Sequence, residues 1–463
     1  MKKLLLILFS TIIFPLAAQQ WQGALEARLN LDNEVPFWLR SNQYGSTPLS
    51  GGSATLLGRV YRDYKETDAG KKQWIDWGIG LEGRADVGEE SRFRIIEGYG
   101  KLKLGFLEAR GGRIKEFLGL TDSTLSMGSF AISGNALGIP KIELRVPEYW
   151  PKNTLIAARG NYAHGWYGYI PTRGTLAQVD SLYTYFHQKS LWIRIARPYW
   201  KLKLYGGFAD NAYWGDEYKL HESFTMSKAQ RYWSVVSGKV WQDSKVGNHV
   251  GNIDIRAEYD VQNYRIAAYR QFFYEVGALW HLANIADGLM GVMVQKKSEG
   301  SGRVGWNKLL LELLYTKNQA GEPWSKPTPT GNENYHNHYL YNYGWSYRSQ
   351  GLGTPFITPR HTANEGFPYN ELEYFVNNRL WGLQAGFEGK TYDWDTRLKL
   401  SYSRNFGTRR TESRFPISNQ FSFCLEGRRN LAKGFTTGFM LASDVGELLP
   451  HATGLTVSLE KRF

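Results

Sequence analysis

The residues best suited to chemistry crowd into one stretch, 334–348 (NYHNHYLYNYGWSYR), rich in tyrosine and carrying a tryptophan and an arginine. Aromatic faces stack on pyranose rings, and an arginine can grip a carboxylate with two hydrogen bonds, so this composition suits an acidic glycan. Tyr335, Tyr343, Trp345 and Tyr347 are the candidate platform, and Arg348 is the candidate clamp. Aromatic and polar clusters at 161–167 and 210–216 add Trp166 and Trp214. All of these rings have a plainer role open to them, packing a loop or joining the aromatic girdle of a membrane wall. Arg40 and Asn42 are better placed to fix a turn or a lumen network than to touch a ligand.

Other chemistries find less support. His336, His338 and His361 have no carboxylate or cysteine at ligand spacing, so no metal is expected. Asp216 and Glu217 beside Trp214 invite a glycosidase reading, but that reaction needs two carboxylates facing across the scissile bond. Hydrolase elbows, Walker loops and dinucleotide fingerprints are not evident. The single cysteine, Cys424, excludes an internal disulfide and reads as a small thiol facing a lumen or core. The expectation is a non-enzymatic protein with no cofactor.

The elements that must position these residues are strands. Residues 1–19 have two lysines, an apolar run and small residues at Ala17 and Ala18, which predicts a cleaved secretory signal. Beyond them no apolar run approaches the roughly 20 residues of a membrane helix. Mean hydropathy is −0.44 although aromatics reach 15%. That balance suits a membrane barrel, where only every second residue meets lipid, and equally a large secreted glycan-binding β-protein. The net charge of +13 could meet anionic headgroups or an acidic polymer; nucleic acid is a poor partner for an exported chain.

Period-two alternation decides between faces. In residues 253–261, Ile253, Ile255, Ala257, Tyr259 and Val261 alternate with Asp254, Arg256, Glu258 and Asp260. The same pattern recurs around 21–29, 100–108, 201–208, 396–403 and 421–428. It closes the chain at 454–463 (GLTVSLEKRF), a terminal strand whose natural partner is the first one. Residues 228–236 and 277–293 fit helix or strand equally. Residues 317–366 form a long polar and aromatic connection with five prolines, expected outside the cell. Residues 119–151 form a second irregular stretch, expected to fold into the lumen as a plug or cap.

Scattered runs carry a family resemblance: PFWLRSNQYG at 36–45, RIKEFLG at 113–119, SGNALGIPK at 133–141, AHGWY at 163–167, HQKSL at 187–191, YGGF at 205–208, DGL at 287–289 and GTPF at 353–356. In that order they resemble the Wzi-type capsule assembly proteins of Bacteroides-like bacteria. The resemblance implies a monomeric all-β transmembrane antiparallel barrel of about 18 strands over residues 20–463, and the long 317–366 connection with the irregular 119–151 stretch suggests that loops occlude its lumen. It also implies a lectin role: binding capsular or other surface polysaccharide, in contact with outer-membrane lipid and lipopolysaccharide, and assisting capsule attachment. Better-understood members carry an amino-terminal helical bundle, for which residues 20–54 offer no counterpart. The rival expectation is a porin or transporter passing small solutes through a polar lumen.

Overall fold

The computed structural model describes residues 20–65, 73–172, 179–219, 225–241, 244–275, 277–298, 302–321 and 333–463. The expected signal at 1–19 lies outside the described residues. Eighteen long strands follow one another around a single sheet. They are β1 (Gln20–Asn30), β2 (Ser53–Arg62), β3 (Ile75–Gly88), β4 (Arg92–Leu104), β5 (Leu107–Arg113) and β6 (Lys141–Trp150). Next come β7 (Ile156–Pro171), β8 (Ser181–Ile195), β9 (Leu202–Gly215), β10 (Asn248–Val261), β11 (Tyr264–Tyr274) and β12 (Gly288–Lys296). The ring ends with β13 (Val304–Tyr315), β14 (Leu380–Thr391), β15 (Trp394–Asn405), β16 (Ser418–Asn430), β17 (Phe435–Gly446) and β18 (Ala452–Arg462).

Every neighbouring pair is antiparallel, and β18 pairs back onto β1 with Leu25 opposite Leu459 and Ala27 opposite Val457. The Phe463 amide donates to the Trp21 carbonyl at 3.0 Å, carrying the seam to the last residue. Closure leaves no strand edge without a partner, which lipid would penalise severely. The expected all-β barrel of about eighteen strands is therefore present.

Alternation sorts the side chains. On β10, Ile253, Ile255 and Tyr259 are exposed outside, while Asp254 is buried and Arg256, Glu258 and Asp260 line the lumen. On β1, Leu25 and Leu29 face out and Arg28 is buried within. Exposed aromatics mark both ends of the wall: Trp21, Trp74, Trp150 and Trp200 at one, Phe93, Trp166 and Tyr169 at the other. An apolar belt between aromatic girdles around a charged interior is the pattern of an outer-membrane barrel.

Connections at one end are short, two residues between β4 and β5, β10 and β11, and β14 and β15. Those at the other end are long, spanning 31–52, 114–140, 216–247 and 316–379. Long connections face outward from the cell in such barrels. Two ambiguous stretches settle accordingly. Residues 228–236 lie in a helix, α2 (Lys228–Ser237), opened by the Ser227–Gln230 capping box and stopped by Gly238 at φ +66°. Residues 277–293 become one tight turn, Ala278–His281, followed by β12.

One boundary is corrected. The expected irregular stretch 119–151 is irregular only to Pro140; β6 occupies Lys141–Trp150 as part of the wall. Pro147 interrupts its alternation, and the pairing with β7 slips between Val146 and Trp150, so the strand signal is broken where it should be clearest.

Leu311 is 66% exposed near the middle of β13. Leu311→Arg is predicted to destabilise the barrel by about 2–4 kcal/mol, the cost of a cation near the bilayer midplane. Urea unfolding from lipid vesicles reads this, and an unchanged midpoint would mean that this face does not meet lipid.

Candidate functional site

An eighteen-stranded ring encloses more space than wall side chains can fill. Here the chain fills it from the outer end with three of its own connections. The first carries α1 (Phe37–Arg40), the second runs over 114–140, and the third over 333–379. Their apolar residues form one core with inward-facing wall residues, including Trp38, Phe130, Tyr335, Trp345 and Phe375 with Phe186, Tyr213 and Phe273. Phe130 stacks on Phe273 at 4.1 Å between centroids, and Trp345 on Tyr213 at 4.5 Å.

Irregular backbone inside a barrel must find partners for its amides, and here the wall provides them. Asp254 on β10 accepts from the Leu120 amide at 2.6 Å. Glu312 on β13 accepts from the Met127 amide at 2.6 Å and the Ser126 hydroxyl at 2.8 Å. Gln271 on β11 accepts from the Phe130 amide at 2.7 Å, and Asp444 on β17 from the Phe37 amide at 2.6 Å. Trp38 Nε1 donates to Ser401 on β15, and Tyr167 and Tyr213 donate to the Ser346 carbonyl from β7 and β9. The plug is thus tied to strands spread over much of the ring.

Toward the short-turn end the lumen wall is an ion-pair lattice. Arg145 pairs with Glu108 at 2.7 Å, Lys203 with Asp260 at 2.9 Å, Arg397 with Glu388 and Glu426 at 3.0 and 2.9 Å, and Arg428 with Glu460 at 2.8 Å. Two cavities of about 170 and 280 Å³ with charged residues in their linings lie there, and Lys115 at the plug's underside lines both. Lys115 is held by Glu82 at 2.6 Å.

On the outward side the third connection forms a cap. Asp287 accepts from the Tyr335 hydroxyl and the Gln319 amide, both at 2.7 Å, and from the Asn318 amide at 2.9 Å. Burial pushes its carboxyl up to about 6. A two-residue hairpin between Tyr347 and Gln350 places Arg348 and Ser349 at φ +51° and +66°, a left-handed pair that non-glycine residues rarely adopt. Both are exposed, and Arg348 has no carboxylate partner among the described residues. Backbone held in such a conformation marks a position worth testing for function. Around it, Tyr343 is 44% exposed, with its ring 5.8 Å from Tyr374. His361 also lies 5.8 Å from Tyr374, and Arg360 caps the ring of Tyr369.

The candidate glycan residues therefore divide. Tyr335, Trp345 and Tyr347 are buried in the plug core, Trp345 donating its Nε1 to the Ala131 carbonyl at 2.6 Å. Trp214 is buried beneath α2. A ring with no open face cannot stack on a sugar, so Tyr335, Trp345 and Tyr347 pack the plug and Trp214 packs the contact between α2 and the outward side of β9. Trp166 is 40% exposed on the outer wall, in the girdle. Tyr343 and Arg348 remain open at the cap. Arg360 and Tyr369 join them and were missed, although the same aromatic and arginine signal continues past residue 351.

The histidines do not converge. His336 Nε2 meets the Phe130 carbonyl at 2.9 Å, His338 Nδ1 accepts from the Leu340 amide at 3.1 Å, and no cluster able to hold a metal occurs among the described residues. Glu217 accepts from Tyr341 at 2.7 Å whereas Asp216 pairs with Lys219 at 2.8 Å, so the two carboxylates do not face a common space. Arg40 donates to the Val35 carbonyl and Asn42 accepts from Ser133, both within the plug network. Cys424 is a buried free thiol on the inner face of β16.

No known family and no curated protein matches the chain. Similar solved structures include Acinetobacter baumannii OccAB4, at 9% identity and a TM-score of 0.47 over 96% of this chain and 98% of that one. The outer membrane protein OpdK of Pseudomonas aeruginosa is 11% identical with a TM-score of 0.47, over 97% and 99%. OpdQ of Pseudomonas aeruginosa is 8% identical with a TM-score of 0.45, over 96% and 98%. Values this low carry no inference about what this chain does.

The raised Asp287 carboxyl fixes a sign. The folded cap keeps a proton that the unfolded chain releases near pH 4, so cap stability falls as pH rises from about 4 through about 6, then levels. Hydrogen exchange at Asn318 and Gln319, corrected for intrinsic rate, is predicted to be slower at pH 4.5 than at pH 7.5. Asp287→Asn should abolish the difference; a difference that persists in the variant contradicts the assignment.

Proposed function

We propose that the chain is a sealed outer-membrane barrel that works from its outward cap, holding an acidic surface polysaccharide of the capsular type. The observation that carries this reading is the plug. Its packing against strands around the ring leaves the cap, not the lumen, as the surface a large ligand can reach. At the cap, Arg348 offers a guanidinium with no carboxylate partner among the described residues, on the same connection as the exposed Tyr343 and the Arg360–Tyr369 pair. An acidic polymer repeats its carboxylates, so weak contacts of this kind add along its length. The resemblance to Wzi-type capsule assembly proteins points the same way.

A second reading is a gated passage for small solutes. The two lumen cavities that share Lys115 favour it, and it requires the plug to shift.

The test is binding of the detergent-purified protein to the producing cell's own surface polysaccharide. Wild-type binding should weaken with salt, and Arg348→Ala should cost about tenfold in affinity, roughly 1.4 kcal/mol. Tyr343→Ala should weaken it further. Unchanged affinity in the double variant, or no binding by the wild type, sinks the cap reading.

A further inference from the structure

The outer wall of the barrel is not evenly convex. Between β9 and β16 it carries an apolar hollow of about 1040 Å³, lined among others by Ile255, Ala268, Val292, Leu311, Leu383 and Ala385. Ile255, Val292, Leu311 and Leu383 are all exposed on the lipid-facing side. The hollow backs onto a close contact between the plug and the wall. There Leu125 is packed among Ala267, Tyr269, Met293 and Leu310, and Gly386 lies so close that an added Cβ would stand 2.7 Å from Leu125 Cβ. Small residues on the inner face let the plug approach, and alanines on the outer face leave the depression behind it. Water gains nothing in such a space, so within a membrane it is filled by hydrocarbon.

Arg270 lies on the same lining, facing outward from β11. A cation on a lipid-facing wall is costly unless it reaches the interface or a counter-ion. Arg270 reaches up to donate Nη2 to the Ile285 carbonyl in the outward connection, with its guanidinium 4.6 Å from the centre of the Phe272 ring. Its Nε is buried with no acceptor, and no carboxylate pairs with it among the described residues. A guanidinium without a carboxylate partner beside an apolar hollow is complementary to one kind of molecule, an acyl chain joined to a phosphate.

We propose that this hollow is a specific site for one phosphorylated, acylated lipid of the outer leaflet, its chains in the hollow and its phosphate on Arg270. The site is independent of the cap, and it stands or falls separately from the polysaccharide reading.

Native mass spectrometry of the full protein in mild detergent tests it, with dimyristoyl phosphatidic acid, dimyristoyl glycerol and inorganic phosphate as probes. The expected result is one retained phosphatidic acid per chain, preferred at least tenfold over the neutral lipid, with inorganic phosphate neither bound nor competing. Arg270→Gln should remove the preference but leave weak retention of both lipids. Ala385→Phe, which narrows the hollow at a position away from the arginine, should weaken retention of both, with a cooperative unfolding transition confirming the barrel. Equal retention in wild type and both variants overturns the proposal. So do equal binding of the neutral lipid, competition by phosphate alone, or a wild-type dimer whose interface excludes lipid.

Discussion

In lipid, every backbone amide and carbonyl must be paired by the protein itself, and the rest of this structure depends on meeting that demand. A ring of strands meets it only when closed, which is why β18 returns to β1 and why pairing continues to Phe463. The same closure forces the alternation of every strand, because each residue must choose lipid or lumen. It also creates a large interior. What fills that interior decides whether the barrel is a conduit or a platform.

The lumen treats its charges in two ways along its length. Toward the short-turn end, carboxylates such as Glu108, Asp260 and Glu426 pair across strands with arginine or lysine. Toward the outward end, Asp254, Glu312 and Asp444 instead accept backbone amides of the plug. A buried carboxylate that loses such donors is strongly penalised, so these wall positions hold the plug in one place as well as tolerating it. The aromatic stacks add shape to this, since Phe130 on Phe273 and Trp345 on Tyr213 fix how the two longer connections sit. Plug and cap are therefore one structure: the chain that packs the lumen also presents Arg348 outside.

The wall was legible in the sequence because its rule is local. Ile253 to Val261 shows its two faces within nine residues, and the first and last strands show theirs without knowledge of each other. β6 escaped because Pro147 breaks the alternation at a bulge. The cap was legible only as composition. Tyr335, Trp345 and Tyr343 look alike in sequence, yet two are buried and one is open. That difference is set by partners far along the chain, Asp287 for Tyr335 and Ala131 for Trp345, which no local pattern reveals. Arg348 was identifiable, but its display on a left-handed hairpin was not.

The most direct test of this account is the conductance of the purified protein in planar bilayers, beside a variant lacking residues 119–139. A sealed barrel predicts no channel steps from the wild type and stable steps once the second connection is removed. Stable, reproducible steps from the intact protein would contradict the seal and move the function from the cap to the lumen.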